Sequence, residues 1–572
     1  MNDPERPAGD EPMSLEDFVN LPTTTDFYTF YTQPFEAYLA THPDIRVGTV
    51  LANRVVIAYA PEGQMESIYQ DLGGHFLNTF PEIYGLLDTA AFDSAGISRL
   101  QQQPYLNLSG QGVLCAFIDT GIDYTQPSFL YEDGTSKIKA IWDQTLTGSP
   151  PPTLPYGAMF TQEQLNQALQ NENPFDTVPH RDTVGHGTFL ASVTAGREPG
   201  NIRGAAPDAE ILVVKLRRAR PYNLEVSLFP PEQENAFEAS DIMLGIKFCL
   251  DRAYELNRPC VITLALGTNF GGHDGGSMLE RYISILSTQV GIAFCLAAGN
   301  EGNARHHTTG LIAKTGDDLD ISVQILGNSN RFGVYIWYPS VDTISLSLIS
   351  PTGEMVNRIP FSVGTIYQRR LVLENAYVRI FYHQDGSRFA TVQVVDATPG
   401  FWRIILHGDL INNGRVHAWL PMTGFVGPDV SFTEPTPDNT IVVPATGLGG
   451  IVVTAYDSST NSLYLADSWG PSGLPRILPD FAAPGVNVQG IYPTGPGRMS
   501  GTSVAAAVTA GASALMLQWG VVQGREPSMN SDRLRALFIR GCVREESIVY
   551  PNEQWGYGRL DLFRSFSEMR EA

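Results

Sequence analysis

Four residues, far apart in a chain of 572, have the side-chain types needed for nucleophilic attack on a carbonyl: Asp119, His186, Asn300 and Ser503. Asp119 closes the apolar run Gly112-Val113-Leu114-Cys115-Ala116-Phe117-Ile118-Asp119, and the C-terminal ends of buried parallel strands are where open α/β sheets place functional groups. His186 stands between Gly185 and Gly187, which leave room for a substrate backbone beside the imidazole. Ser503 lies in Ser500-Gly501-Thr502-Ser503-Val504-Ala505-Ala506-Ala507, at or near the first turn of a small-residue helix. Its backbone N–H has no partner within the helix there and can donate to a developing oxyanion. Asn300 ends Ala297-Ala298-Gly299-Asn300, where its amide can supply a second donor. Each residue alone has an ordinary alternative: a turn-capping Asp, a surface or core His, a turn Asn, an N-cap Ser.

The elements around them follow from periodicity. Apolar runs at 112–119, 211–216, 261–266 and 291–296 read as central parallel strands buried on both faces, with helical segments between them. Between about residues 305 and 437 the pattern changes to period-two alternation, as in Ile321/Val323/Ile325, Ile344/Leu346/Leu348, Val378/Ile380/Tyr382 and Val392/Val394. That predicts an antiparallel β-sandwich inserted into the α/β domain. Strand-like runs at 45–51 and 55–59, then a helical stretch at 63–72, predict a small α+β unit before it. The expected organisation is a flexible tail at 1–13, an N-terminal domain at 14–88, the α/β domain at 89–304 and 438–572, and the insert at 305–437.

The net charge of −23 disfavours nucleic acid and anionic lipid as partners. The N-terminus has neither a basic nor an apolar leader region, so no secretory signal is expected and synthesis is expected in the cytoplasm. The apolar run 504–517 is too short for a membrane span. Cys115, Cys249, Cys260, Cys295 and Cys542 are odd in number, widely spaced and mostly set in apolar stretches, and read as buried free thiols. No pair has metal-ligand spacing and no Asp-rich loop forms a calcium ligand set, so no metal or cofactor is expected. A monomer is expected.

The joint order Asp, His, Asn, Ser resembles the subtilisin-like serine proteases. Ile118-Asp119-Thr120-Gly121, His186-Gly187-Thr188, Ala297-Ala298-Gly299-Asn300 and Gly501-Thr502-Ser503-Val504-Ala505 carry the likeness, joined by Gly204-Ala205-Ala206-Pro207-Asp208-Ala209 and Ala482-Ala483-Pro484-Gly485-Val486. The resemblance implies a doubly wound parallel sheet and a serine endopeptidase acting on protein or peptide substrates. It makes Ser503 the nucleophile, His186 the general base and Asp119 its orienting partner, with the Ser503 N–H and the Asn300 side chain as the oxyanion hole. Ala265, Leu266 and Gly267 would pair with substrate and line the first specificity pocket, with Ala297, Ala298 and Gly299 as its opposite wall. Ala507 departs from the family, which carries proline there.

The N-terminal domain and an insert that lengthens the Asn300-to-Ser503 interval to 203 residues are similar to the Csp germination proteases of clostridial spores. That likeness implies a jelly-roll-like insert, a prodomain that acts as chaperone and can stay bound after self-cleavage, and a cut between Phe80 and Ala91. It also implies spore association and, as target, an inactive spore-cortex hydrolase precursor. Some members of that group are catalytically silent signalling proteins, which makes a pseudoprotease held by its prodomain the alternative expectation.

Overall fold

A computed structural model describes residues 13–72, 80–87, 95–97, 106, 108–197, 203–385 and 387–569. The expected tail thus lies, except for residue 13, outside the described residues. At the centre is a nine-stranded sheet. Its core strands are β5 (Leu114–Asp119), β8 (Glu210–Lys215), β10 (Cys260–Leu264) and β12 (Ile292–Ala297), all parallel. The strand Ile451–Asp457 continues the parallel ladder beyond β12.

The core strands explain why continuous apolar runs were required. Val113, Cys115, Phe117, Ile211 and Val213 face one core, whereas Leu114, Ala116, Ile118, Leu212 and Val214 face the other. The helices His186–Ala195, Thr502–Leu517 and Ser531–Gly541 cover the first face, and Ala239–Leu256 and Met278–Leu286 cover the second. With water excluded from both faces, no position on these strands is left for a polar alternation. All five cysteines are free and buried in this core, as the sequence predicts.

Two elements depart from expectation. The segment between Asp119 and His186, where no strand is expected from the sequence, contains β6 (Ile138–Asp143), parallel to β8, and β7 (Ala158–Thr161), antiparallel to β6. Second, the apolar helix from Thr502 runs on through a π-turn to Val522, 21 residues in all. That is long enough to cross a membrane, but every residue from Thr502 to Leu517 is buried within the protein. It is the central core helix, not a span.

The N-terminal unit pairs β1 (Thr24–Phe30), β2 (Arg46–Val50) and β3 (Val55–Pro61) in the order β1-β3-β2, all antiparallel. Phe27, Val56 and Ala58 pack on its own helices, Gln33–Thr41 and Met65–Asp71. The opposite face, with Tyr28, Ile57 and Tyr59, joins the core around the helix Ala239–Leu256. From here the chain continues into β4 (Ile83–Leu86), which leaves this unit altogether. It lies between β9 (Ala236–Glu238) and β11 (Leu266–Gly267), antiparallel to both.

The insert consists of a six-stranded and a five-stranded sheet with antiparallel pairing throughout. The alternating residues named above all enter the one core that these two sheets share. Alternation survives in the sequence because each sheet has one face on this core and one outside it.

Candidate active site

Asp119 is the last residue of β5, 2% exposed. His186 opens the helix that follows Gly185, whose φ of 90° is a left-handed conformation that glycine adopts without strain. Since a carboxylate only accepts, His186 Nδ1 donates to Asp119, with its two oxygens at 2.8 and 2.9 Å. Gly187 permits this approach: a Cβ there would overlap the Gly121 carbonyl and lie 3.2 Å from Asp119 Cβ. The Gly187 N–H donates to Thr120 Oγ1 at 3.0 Å, tying the helix start to the loop after β5.

Two supports of this pair were not singled out in the sequence. Asp182 accepts from the N–H groups of Gly185 (2.7 Å) and Thr188 (3.0 Å), fastening the first turn of the helix that carries His186. An Asp four residues before His186, ahead of the small-residue run that follows it, is a capping signal that could have revealed it. The second is the fully buried pair His180 and Asp143, 2.7 Å apart, in which His180 Nε2 also accepts from the Ile122 N–H at 3.2 Å. It braces the loop after Asp119.

Ser503 lies in the first turn of the helix Thr502–Leu517, behind Gly501, whose φ is 148°. Its Oγ is buried and has no hydrogen-bond partner among the described residues. Asn300 accepts through Oδ1 from the N–H (3.2 Å) and the hydroxyl (3.1 Å) of Thr502. A carboxamide anchored through its oxygen keeps its NH2 as the donor end. The Gly299 N–H donates to Thr502 Oγ1 at 3.1 Å, so the Asn300 loop and the Ser503 helix are joined at one residue.

Of the two predicted pocket walls, the one formed by Ala265, Leu266 and Gly267 already pairs with a peptide, the chain's own β4. Leu86 pairs with Leu266 and Gly85 with Gly267, and the Leu87 N–H donates to the Ala265 carbonyl at 3.2 Å. On the other edge Ile83, Tyr84 and Gly85 pair with Glu238, Phe237 and Ala236. The Leu87 side chain is 2% exposed, and a Cβ built on Gly267 would lie 3.4 Å from its Cδ1. Val442, not recognised from sequence, fills the space between the walls: Cβ atoms built on Gly267 and Gly299 would both collide with it. The Val442 N–H donates to the Ala298 carbonyl at 2.9 Å. His186 Nε2 stands 3.1 Å from the Leu87 carbonyl oxygen. The imidazole therefore faces a backbone carbonyl held in an extended, doubly paired strand.

A parallel sheet covered on both faces, an Asp–His pair at the end of β5 and a serine at a buried helix start are the layout of the subtilisin-like serine proteases. The chain matches the Subtilase family over residues 110–325 and 429–558. It belongs to that family. Among solved structures it is similar to the CspB protease of Clostridium perfringens, with 29% identity and a TM-score of 0.74 over 84% of this chain and 98% of that one. Among curated proteins it is 34% identical over 129 residues to the Subtilisin-like protease SBT2.1 of Arabidopsis thaliana. It is 28% identical over 153 residues to the Subtilisin-like protease SBT3.5 of the same plant. These stretches span only 15% and 20% of the plant proteins' lengths.

Proposed function

We propose that the chain is a self-processing serine endopeptidase, made as a zymogen, whose first substrate is its own bond after Leu87. The observation that carries this reading is the Leu87 carbonyl 3.1 Å from His186 Nε2, at the end of a strand paired on both edges. In the proposed reaction Ser503 Oγ attacks that carbonyl carbon as His186 Nε2 takes its proton. The oxygen, which lies beside His186 Nε2 before attack, turns toward the Ser503 N–H and the Asn300 amide, which stabilise the oxyanion. Collapse breaks the bond to the nitrogen of residue 88, which receives the proton from His186, and water then releases Leu87 from the acyl-enzyme by the same steps in reverse. The cut falls within the interval predicted from sequence, whose far end, 88–91, lies outside the described residues.

In this reading the N-terminal unit is an inhibitory prodomain, and the insert is a jelly-roll-like domain of the Csp type. The resemblance to germination proteases makes an inactive spore-cortex hydrolase precursor the proposed target. The strand that marks the cut also fills the cleft, which keeps open the alternative of a silent protein held by its prodomain. N-terminal sequencing of the purified chain separates the two: a new terminus after Leu87 supports self-processing, an intact chain the alternative.

The oxyanion assignment has its own test. Asn300→Ala is expected to slow self-cleavage by about 10²- to 10³-fold, the usual loss for one side-chain donor. A comparable rate in the variant, followed by gel densitometry, would remove Asn300 from the oxyanion hole.

Buried ionisable groups make prodomain retention depend on pH. Glu82 accepts from Tyr28 Oη at 2.7 Å, beside Tyr84 and with Glu280 nearby, and burial pushes its carboxyl up to about 8. Glu238 is pushed up to about 8 as well, by burial and then by Asp26, although both carboxylates bond Arg220. Asp26 lies on β1, whereas Arg220, Asn223 and Glu238 lie on the α/β domain. The assembled state holds protons that the exposed carboxyls release near 4.5. Its extra stability is therefore complete below about 4.5, declines as pH rises, and is gone above about 8. Size-exclusion chromatography of the cleaved protein should show affinity for the prodomain falling about tenfold or more between pH 5.5 and 8.5.

A further inference from the structure

The cleft places one restriction on substrate that arises from the insert and not from the α/β domain. Counting back from Leu87, whose carbonyl faces His186, the residue two positions earlier is Gly85. Along β4, Ile83 and Leu87 contribute to one core and Tyr84 to the other, so Gly85 presents the same side as Ile83 and Leu87. On that side stands Phe425. A Cβ built on Gly85 would overlap Phe425 Cε2, lie 3.0 Å from its Cζ and 3.5 Å from Met422 Cε.

A flexible ring would simply move, but this one is fixed. Phe425 is 3% exposed and packs on Phe229 with ring centroids 4.7 Å apart. Its loop is held at two points: the Thr423 N–H donates to Glu301 Oε1 at 3.0 Å, and Gln233 Nε2 donates to the Gly424 carbonyl at 2.9 Å. Glu301 is itself anchored by His306 at 2.7 Å and Asn269 at 3.1 Å. A side chain opposite Phe425 would have to displace a packed ring together with a tethered loop.

We propose that the enzyme requires glycine two residues before the residue whose carbonyl is cut, and that Phe425 of the insert enforces the requirement. The substrate class is thereby narrowed to extended segments with Gly at that position and an apolar residue such as Leu at the cut. The insert becomes part of the substrate cleft instead of a distant appendage. This inference rests on the self-processing reading above.

The test uses the full chain and follows appearance of the terminus after Leu87. Gly85→Ala should be processed about tenfold or more slowly than wild type, within the range one added carbon makes in a shaped pocket. Gly85→Ala combined with Phe425→Ala should return to within about threefold of wild type, because the space the new Cβ needs is then open. Gly63→Ala, where a Cβ meets nothing within 4 Å, should process at the wild-type rate and controls for alanine in the N-terminal unit. Thermal melts accompany each variant; if Gly85→Ala fails to fold, recovery by Phe425→Ala remains the deciding result. Processing of Gly85→Ala at the wild-type rate, or no recovery in the double variant, overturns the glycine requirement. Wild type that never cuts after Leu87 instead overturns the self-processing reading on which it rests.

Discussion

Ser503→Ala is expected to accumulate as the intact chain, with the terminus after Leu87 absent at times when wild type is fully processed. The expected loss is on the order of 10⁶-fold, the magnitude seen when the nucleophile of subtilisin is removed. The size follows from what remains: donors for the oxyanion survive, but no atom is left to form the acyl bond, and His186 has no hydroxyl to activate. Folding should be spared. Ser503 Oγ makes no hydrogen bond among the described residues, so alanine forfeits no internal partner and leaves the helix packing unchanged. Mass spectrometry and N-terminal sequencing read the outcome, and a Ser503→Ala chain that still shortens at Leu87 would assign the cut to another nucleophile or protease.

The second large effect is expected from Asp119→Asn, about 10⁴-fold in the rate of self-cleavage. Asp119 now holds the Nδ1 proton of His186 between two oxygens at 2.8 and 2.9 Å. An asparagine that turns its NH2 toward the ring demands a lone pair on Nδ1 and drives the proton to Nε2, the atom proposed to accept from Ser503. The side chain keeps its size, and the carboxamide oxygen can still accept the Thr120 N–H that Asp119 Oδ1 accepts at 2.7 Å. The loss should therefore appear in the chemical step with the melting temperature almost unchanged. Quantitative processing time courses across pH provide the check: a rate within tenfold of wild type would mean that Asp119 does not set the tautomer.

The legible parts of this protein were those where one environment governs a whole run of residues. β5, β8, β10 and β12 are buried on both faces, so their sequences are apolar apart from Thr263 and the charged ends Asp119, Glu210 and Lys215. The two sheets of the insert have one buried face each, which leaves alternation. The contact between Asp119 and His186 was legible because glycines and strand ends mark where chain and side chain must approach closely. β1 was missed because Asp26 interrupts its pattern, and the cost of burying that carboxylate is offset by Arg220, 194 residues away. β4 was missed for a related reason. With Gly85 inside a four-residue segment it has little strand character of its own, and its extended shape comes from the two edges that pair with it. Val442 carries no local signal at all, since its position exists only once the loops at Gly267 and Gly299 meet around it.

The proposed chemistry requires one serine to be activated by one imidazole. Treating the processed protein at pH 8.5 with a fluorophosphonate probe, then locating the adduct by peptide mass spectrometry, measures that activation directly. The expected result is a single adduct on Ser503 of the processed protein. A processed protein that remains unlabelled, or that carries its adduct on a different residue, would contradict the account.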